Sequence, residues 1–176
     1  MYAVLRAAWL HAAAASAALT LAGLCPAAAA QTPTPAHADA HHASVDARGD
    51  HVMGFDHAKT THHFRLKRDG GAIEVSANDA ADAESRDAIR AHLRHVARMF
   101  SEGDFDAPML IHDREAPGVP VLREKKAAIR WTYEEAPSGG HIRIRTKDPR
   151  ALAAIHDFLR FQIEDHETGD SETVTK

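Results

Sequence analysis

Between Thr60 and Ala77 polar and apolar residues alternate with a period of two. His62, Phe64 and Leu66 share one strand face, and His63, Arg65 and Lys67 share the other. After Gly70-Gly71 the apolar face resumes at Ile73, Val75 and Ala77. The layout returns later in the chain: Ile129, Trp131 and Tyr133, then Gly139-Gly140, then Ile142 and Ile144, with Arg130, Thr132, Arg143 and Arg145 outward. A sheet built from such strands buries one face and wets the other.

Each alternating pair gives way to a helical period. Ile89, Leu93, Val96 and Phe100 form one stripe, and Leu152, Ile155, Leu159 and Ile163 form a second. Asp148-Pro149 marks a helix start, because Asp caps free amides and Pro needs no amide partner at the first helical position. A ββα unit is thus used twice, Gly70-Gly71 answering Gly139-Gly140 and Ile73 answering Ile142. The predicted class is α+β: two ββα repeats forming a four-stranded, mainly antiparallel sheet with two helices on one face. The connector from Phe105 to Lys126 carries three prolines and is expected on the surface, its Met109–His112 piece adding a short edge strand. Both Gly-Gly pairs are expected in hairpins that need positive φ.

The N-terminal pattern differs. Residues 1–30 combine one early cation, Arg6, with an Ala/Leu run and a small-residue end at Ala28-Ala29-Ala30, the layout of a signal peptide cleaved before Gln31. That predicts a periplasmic or secreted protein with no membrane span after cleavage. Residues 31–52, rich in Ala, Pro, Thr and His without apolar periodicity, read as a disordered leader. The folded domain is expected over 53–170, followed by a tail, 171–176. A chain of 176 residues has room for one such domain. Its net charge of −4 lacks the basic footprint that neutralises phosphates, which excludes nucleic acid as a partner. Cys25 is the sole cysteine and falls inside the signal, so disulfides, thiol catalysis and thiolate metal sites are excluded for the mature chain.

Any metal site must therefore use His, carboxylate or Met. In the helix IRAHLRHVARMF, Ile89 to Phe100, the residues His92, His95 and Met99 flank the core stripe. Imidazoles at i and i+3 can converge on one ion, and a thioether one turn on is a soft donor suited to reduced copper. His62 from the inward strand face and His112 from the connector would complete a copper or zinc set. The same spacing is equally the rim of an ordinary amphipathic helix, where His packs its ring and keeps its nitrogens wet. Glu164, Asp165 and His166 read as solvated cap chemistry at a helix end or as a carboxylate-assisted His ligand. His37, His41 and His42 read as leader composition or a loose metal-scavenging tract. With no nucleophile elbow and no phosphate-binding loop, no catalytic or cofactor-binding residue is assigned.

At MGFDHAKTTHHFRL, GGAIEVSANDAAD, FSEGDFDAPMLIHD, PGVPV and AIHDFLRFQIEDH the chain resembles a family of short, exported, uncharacterised bacterial proteins, over essentially all of Met53 to Asp170. Some members carry an aspartate carbamoyltransferase label, which would imply a two-domain enzyme with a Ser-Thr-Arg-Thr loop. This chain lacks that loop, so no catalytic residue carries over. Two functions are expected. One is a non-enzymatic accessory or binding protein for an envelope protein or small ligand, with Arg65, Lys67, Arg130, Arg143 and Arg145 favouring an acidic partner. The other is a periplasmic copper or zinc binder using the His/Met cluster.

Overall fold

The computed structural model describes residues 35–176. The signal peptide expected over 1–30 lies outside them. Four strands form one antiparallel sheet: β1 (Thr60–Lys67), β2 (Gly70–Ala77), β3 (Ile129–Ala136) and β4 (Gly139–Thr146), in the order β1-β2-β4-β3. Two long helices, α2 (Ala83–Glu102) and α5 (Pro149–Asp165), lie on its apolar face, as expected from the two helical stripes. At the central β2/β4 pair Ile73 sits opposite Ile142, with Gly70 opposite Arg145 and Ser76 opposite Gly139. Helix α2 packs chiefly across β3 and β4, and α5 across β1 and β2. Each helix therefore covers the strand pair that it does not directly follow in the chain, and the core between them holds Ile89, Leu93, Ile142, Ile144, Ile155 and Leu159, all essentially inaccessible.

Local chemistry fixes the element ends. Asp148 accepts from the amides of Arg150 and Ala151 ahead of Pro149, so the expected helix start is the observed one. Asp82 caps α2 through Ser85, and Gly103 closes it with φ at 81°. The Gly-Gly pairs differ from expectation: they open β2 and β4, leaving Arg68-Asp69 and Pro137-Ser138 as the turns. Of the four glycines only Gly70 has positive φ. The need is for close approach instead, since a Cβ on Gly139 would lie 2.1 Å from the Val75 carbonyl oxygen, and one on Gly71 would lie 2.2 Å from Leu159.

Two expectations about the connecting segments are corrected. Met109–His112 is not an edge strand but part of the short helix α3 (Asp106–His112), ended by Asp113 at φ 54°. A run of four apolar or aromatic residues has no period that separates strand from helix. Helix α4 (Val119–Glu124) follows. Residues 35–52 of the expected leader, together with Met53, form helix α1 (Pro35–Met53), which packs against α3. Its weak amphipathicity hid it: among its described side chains it buries Val45 fully, and polar bonds do much of the docking. Arg48 donates to the Ile111 carbonyl at 2.6 Å, and His41 bonds Asp165 at 2.9 Å.

The chain end also docks. Asp170 accepts the Phe64 amide at 2.8 Å, while Thr175 accepts from Arg68 and donates to the Leu66 carbonyl. These bonds occupy outward backbone groups of β1, which would otherwise offer a free edge for pairing.

Candidate functional site: a histidine-lined cavity

Between the sheet and helices α2, α3 and α5, next to Met53 at the end of α1, is a cavity of about 60 Å³. Its walls are largely apolar, with Phe64, Val75, Val96, Phe100 and Phe158 among them, yet they also carry His62, His92, His112 and His166. Each arrives by a different route. Strand alternation turns His62 inward beside Phe64, opposite Val75. His92 sits on the flank of the α2 core stripe, its ring edge-on to Phe55 with centroids 5.6 Å apart. His112 closes α3, and His166 is the residue that ends α5.

The sequence-derived set is therefore brought together only in part. His62, His92 and His112 meet at the cavity, whereas His95 and Met99 are not in its lining. His95 is exposed and its Nδ1 accepts from Arg98 at 2.9 Å. Met99 packs half-buried against the core. The i, i+3 pair is offset by only about 60° around the helix, and at the border of the core that offset leaves His92 at the cavity and His95 facing water. Nor do the cavity histidines form a three-imidazole ligand set: among the described residues, the trio of His and carboxylate donors lying within 4.8 Å of one another is Asp50, Asp56 and His57. That trio joins the last turn of α1 to the segment after it: Asp50 accepts from both the amide and the ring of His57, and Asp56 caps Ala58. The bond to Asp50 holds His57 above its ordinary pKa despite partial burial.

The sequence reading offers His166 as cap chemistry or a carboxylate-assisted ligand but does not join it to His62 and His112. The His166 ring stacks on His62 with centroids 6.0 Å apart and planes 3° apart, stacks on Phe64 at 5.8 Å, and meets His112 edge-on at 4.9 Å. Burial pushes His62 and His92 down to about 4 and His166 down to about 3, helped by the neighbouring imidazoles. All three are neutral at pH 7.

His112 is held differently. It is 2 % exposed, its Nδ1 lies 2.5 Å from Asp165 and its Nε2 lies 3.1 Å from the Gln162 side-chain oxygen. Burial lowers its pKa, against the opposing pull of Asp165. A neutral ring that donates through Nδ1 needs a donor at Nε2, and Gln162 supplies one when its amide is turned over. Asp165 also accepts from His41 and, at 2.7 Å, from Arg114. Burial alone would raise its pKa, but the bonds from His41 and His112 outweigh it and hold the carboxylate ionised. His41 and His42, expected to be leader composition, are thus bonded to Asp165, His42 through the backbone carbonyl at 3.3 Å.

His62 and His166 have no such anchor. The Nε2 atom of His62 is buried without any hydrogen-bond partner, one of four such side-chain atoms among the described residues, with Trp131 Nε1, the Tyr133 hydroxyl and Gln162 Nε2. Two of those four belong to this cavity. An unpaired buried polar atom costs on the order of 1–3 kcal/mol, so its retention needs a reason.

On the open face, the basic residues are largely engaged within the chain. Arg143 bonds Asp69 and the carbonyls of Gly71 and Ile144, Arg65 bonds Asp170 at 2.6 Å, and Arg145 lies 3.6 Å from Asp69. Among the described residues, no helix is long and apolar enough to cross a membrane. No family model, curated protein or solved structure matches the chain.

Proposed function

We propose that the chain is an exported, non-enzymatic binding protein that holds a small ligand in the histidine-lined cavity. The observation that carries this reading is the buried, unpartnered Nε2 of His62, set beside the neutral rings of His92 and His166. Apolar walls with a few convergent polar atoms are the composition of a ligand site. The lining offers imidazoles and one amide but no carboxylate, hydroxyl or thiol, so no nucleophile and base stand together there. The alternative of an acidic partner on the open face has less to support it, because Arg65, Arg143 and Arg145 already face carboxylates of the chain. Export rests on the N-terminal pattern, and N-terminal sequencing of the envelope fraction should find Gln31 first.

Xenon tests the cavity without knowledge of the natural ligand. Under xenon pressure the methyl signals of Val75, Val96 and Ile111, which line the cavity, should shift saturably. Filling the space with His62→Phe should abolish the shift. Methyls that ignore xenon in the wild type would contradict the reading.

A further inference from the structure

The sheet has two outer strands, β1 and β3, and the chain treats them differently. On β1 outward backbone groups are taken: the Phe64 amide donates to Asp170, and the Leu66 carbonyl accepts the Thr175 amide at 2.9 Å. On β3 the phase of the ladder shows which groups point outward. Ala77 donates to the Ser138 carbonyl at 2.8 Å, so along β4 the even-numbered residues bond β2 and the odd-numbered ones bond β3. With Thr132 opposite Arg143 and Glu134 opposite His141, the backbone groups of Arg130, Thr132 and Glu134 face β4, and those of Ile129, Trp131, Tyr133 and Glu135 point outward. No described residue bonds the outward groups of Trp131, Tyr133 and Glu135. We propose that β3 pairs antiparallel with β3 of a second copy of this chain, about a twofold axis at Thr132, so that two sheets join into one. The interface is separate from the histidine-lined cavity and does not depend on it.

The charges of the strand specify that register. With the axis at Thr132, Arg130 of each copy stands opposite Glu134 of the other on the open face, and Trp131 stands opposite Tyr133 on the helix-covered face. Thr132 meets its own counterpart, a favourable cross-strand pair. The backbone agrees: Trp131 and Tyr133 of opposite copies exchange both bonds, and the Glu135 amide meets the Ile129 carbonyl. The Ile129 amide is already bonded to the Lys126 carbonyl. Sliding by two residues either way loses the match. An axis at Trp131 sets Arg130 against Thr132 and Glu134 against Ala128, and an axis at Tyr133 sets Glu134 against Thr132 and Arg130 against Ala136. A parallel pair in register brings Arg130 to Arg130 and Glu134 to Glu134, which repel.

The usual devices that block a sheet edge are missing. Strand β3 runs for 8 residues, carries neither Lys nor Pro and pairs with β4 without a bulge. Charge alone remains, and here it is self-complementary. Arg130 is exposed, faces the like charge of Arg145 across the ladder and has no ion pair among the described residues, so Glu134 of a second copy supplies a carboxylate that its surroundings lack. Glu134 is exposed as well and keeps one contact, His141 at 3.4 Å. Glu135, on the other face, lies 3.7 Å from Arg90 and 3.3 Å from Arg94 of α2, so its charge is met within the chain. One strand on each side makes a small interface, and the dimer is therefore expected to be weak and concentration-dependent.

Sedimentation equilibrium of the full chain from about 1 to about 500 μM, with amide hydrogen exchange at both ends of that range, tests the proposal. The wild type should pass from monomer to dimer. Arg130→Glu and Glu134→Arg should each weaken the dimer by at least about 10-fold, because each sets like charges opposite one another, and the double variant should restore wild-type affinity to within about 3-fold. Exchange supplies a readout that needs no variant. Amides of Trp131, Tyr133 and Glu135 should exchange freely in the monomer and gain at least about 10-fold protection in the dimer, while those of Thr132 and Glu134, bonded to β4, stay protected in both. A wild type that stays monomeric throughout, a dimer indifferent to both charge reversals, a double variant no tighter than the single ones, or a dimer whose Trp131 and Tyr133 amides gain no protection would each overturn the assignment. Protection of those amides in the monomer would overturn it too, because another segment of the same chain would then cover the edge.

Discussion

At matching positions on the two outer strands, the sheet carries His62 opposite Val75 at one edge and Trp131 opposite Ile144 at the other. Both side chains point to the helix-covered face. Trp131 closes its end: its ring meets Phe100 at 5.0 Å and Phe105 at 6.1 Å, and Phe105 in turn meets Phe158 at 5.9 Å. His62 closes nothing. Both rings bury a nitrogen without a hydrogen-bond partner, but His62 lines the apolar cavity together with His92 and His166, and Trp131 does not. One architecture thus carries aromatic packing at the β3 position and a cavity-lining imidazole at the equivalent β1 position. Sites kept at some cost in stability are where function is expected.

The largest effect that separates the two ends should come from Trp131→Ala, which removes the ring around which the dry end is packed. A loss of about 3–5 kcal/mol in urea unfolding is expected; a loss below about 1 kcal/mol would mean that the dry end is not where stability resides. Asp165→Ala should cost roughly 3 kcal/mol, since it leaves buried His112 unpaired and releases His41 and Arg114. Its signature is local: amides of residues 41–53 should lose hydrogen-exchange protection while β3 and β4 keep theirs.

Acid should distinguish the ends next. His62, His92 and His166 have folded-state pKa values of about 4, 4 and 3, below the ordinary 6.5. Between those limits the unfolded chain takes up protons that the folded chain refuses, so stability is fully present above about pH 6.5 and falls as pH drops toward 4. The fall should amount to a few kcal/mol, and a His62→Leu/His166→Leu variant should show a shallower slope when unfolding is followed against pH. Asp148→Ala, at the start of α5 and away from the histidines, should cost only about 1 kcal/mol and leave that pH slope unchanged.

What was legible in the sequence follows the same division. Alternation, the two helical stripes, the Asp148-Pro149 start and the Gly-Gly landmarks are local signals, and they place the sheet, α2 and α5 correctly. The histidine site depends on contacts that no period encodes. His166 follows the last apolar residue of α5 and resembles ordinary cap chemistry until α5 is laid across β1. Helix α1 lacks an apolar stripe and is held in large part by His41, His42 and Arg48, bonds that mean nothing until Asp165 and Ile111 are in place. His95 and Met99 failed for the opposite reason: helical spacing suggested convergence with His92, and the position of the sheet decided which of the three faced the cavity.

The most direct measurement compares thermal unfolding of the wild type and His62→Leu at pH 7. If His62 is retained for binding and not for stability, His62→Leu should be at least as stable as the wild type, because leucine fills apolar space and removes the unpartnered nitrogen. A variant weakened by about 2 kcal/mol or more would make His62 a structural residue and contradict the account.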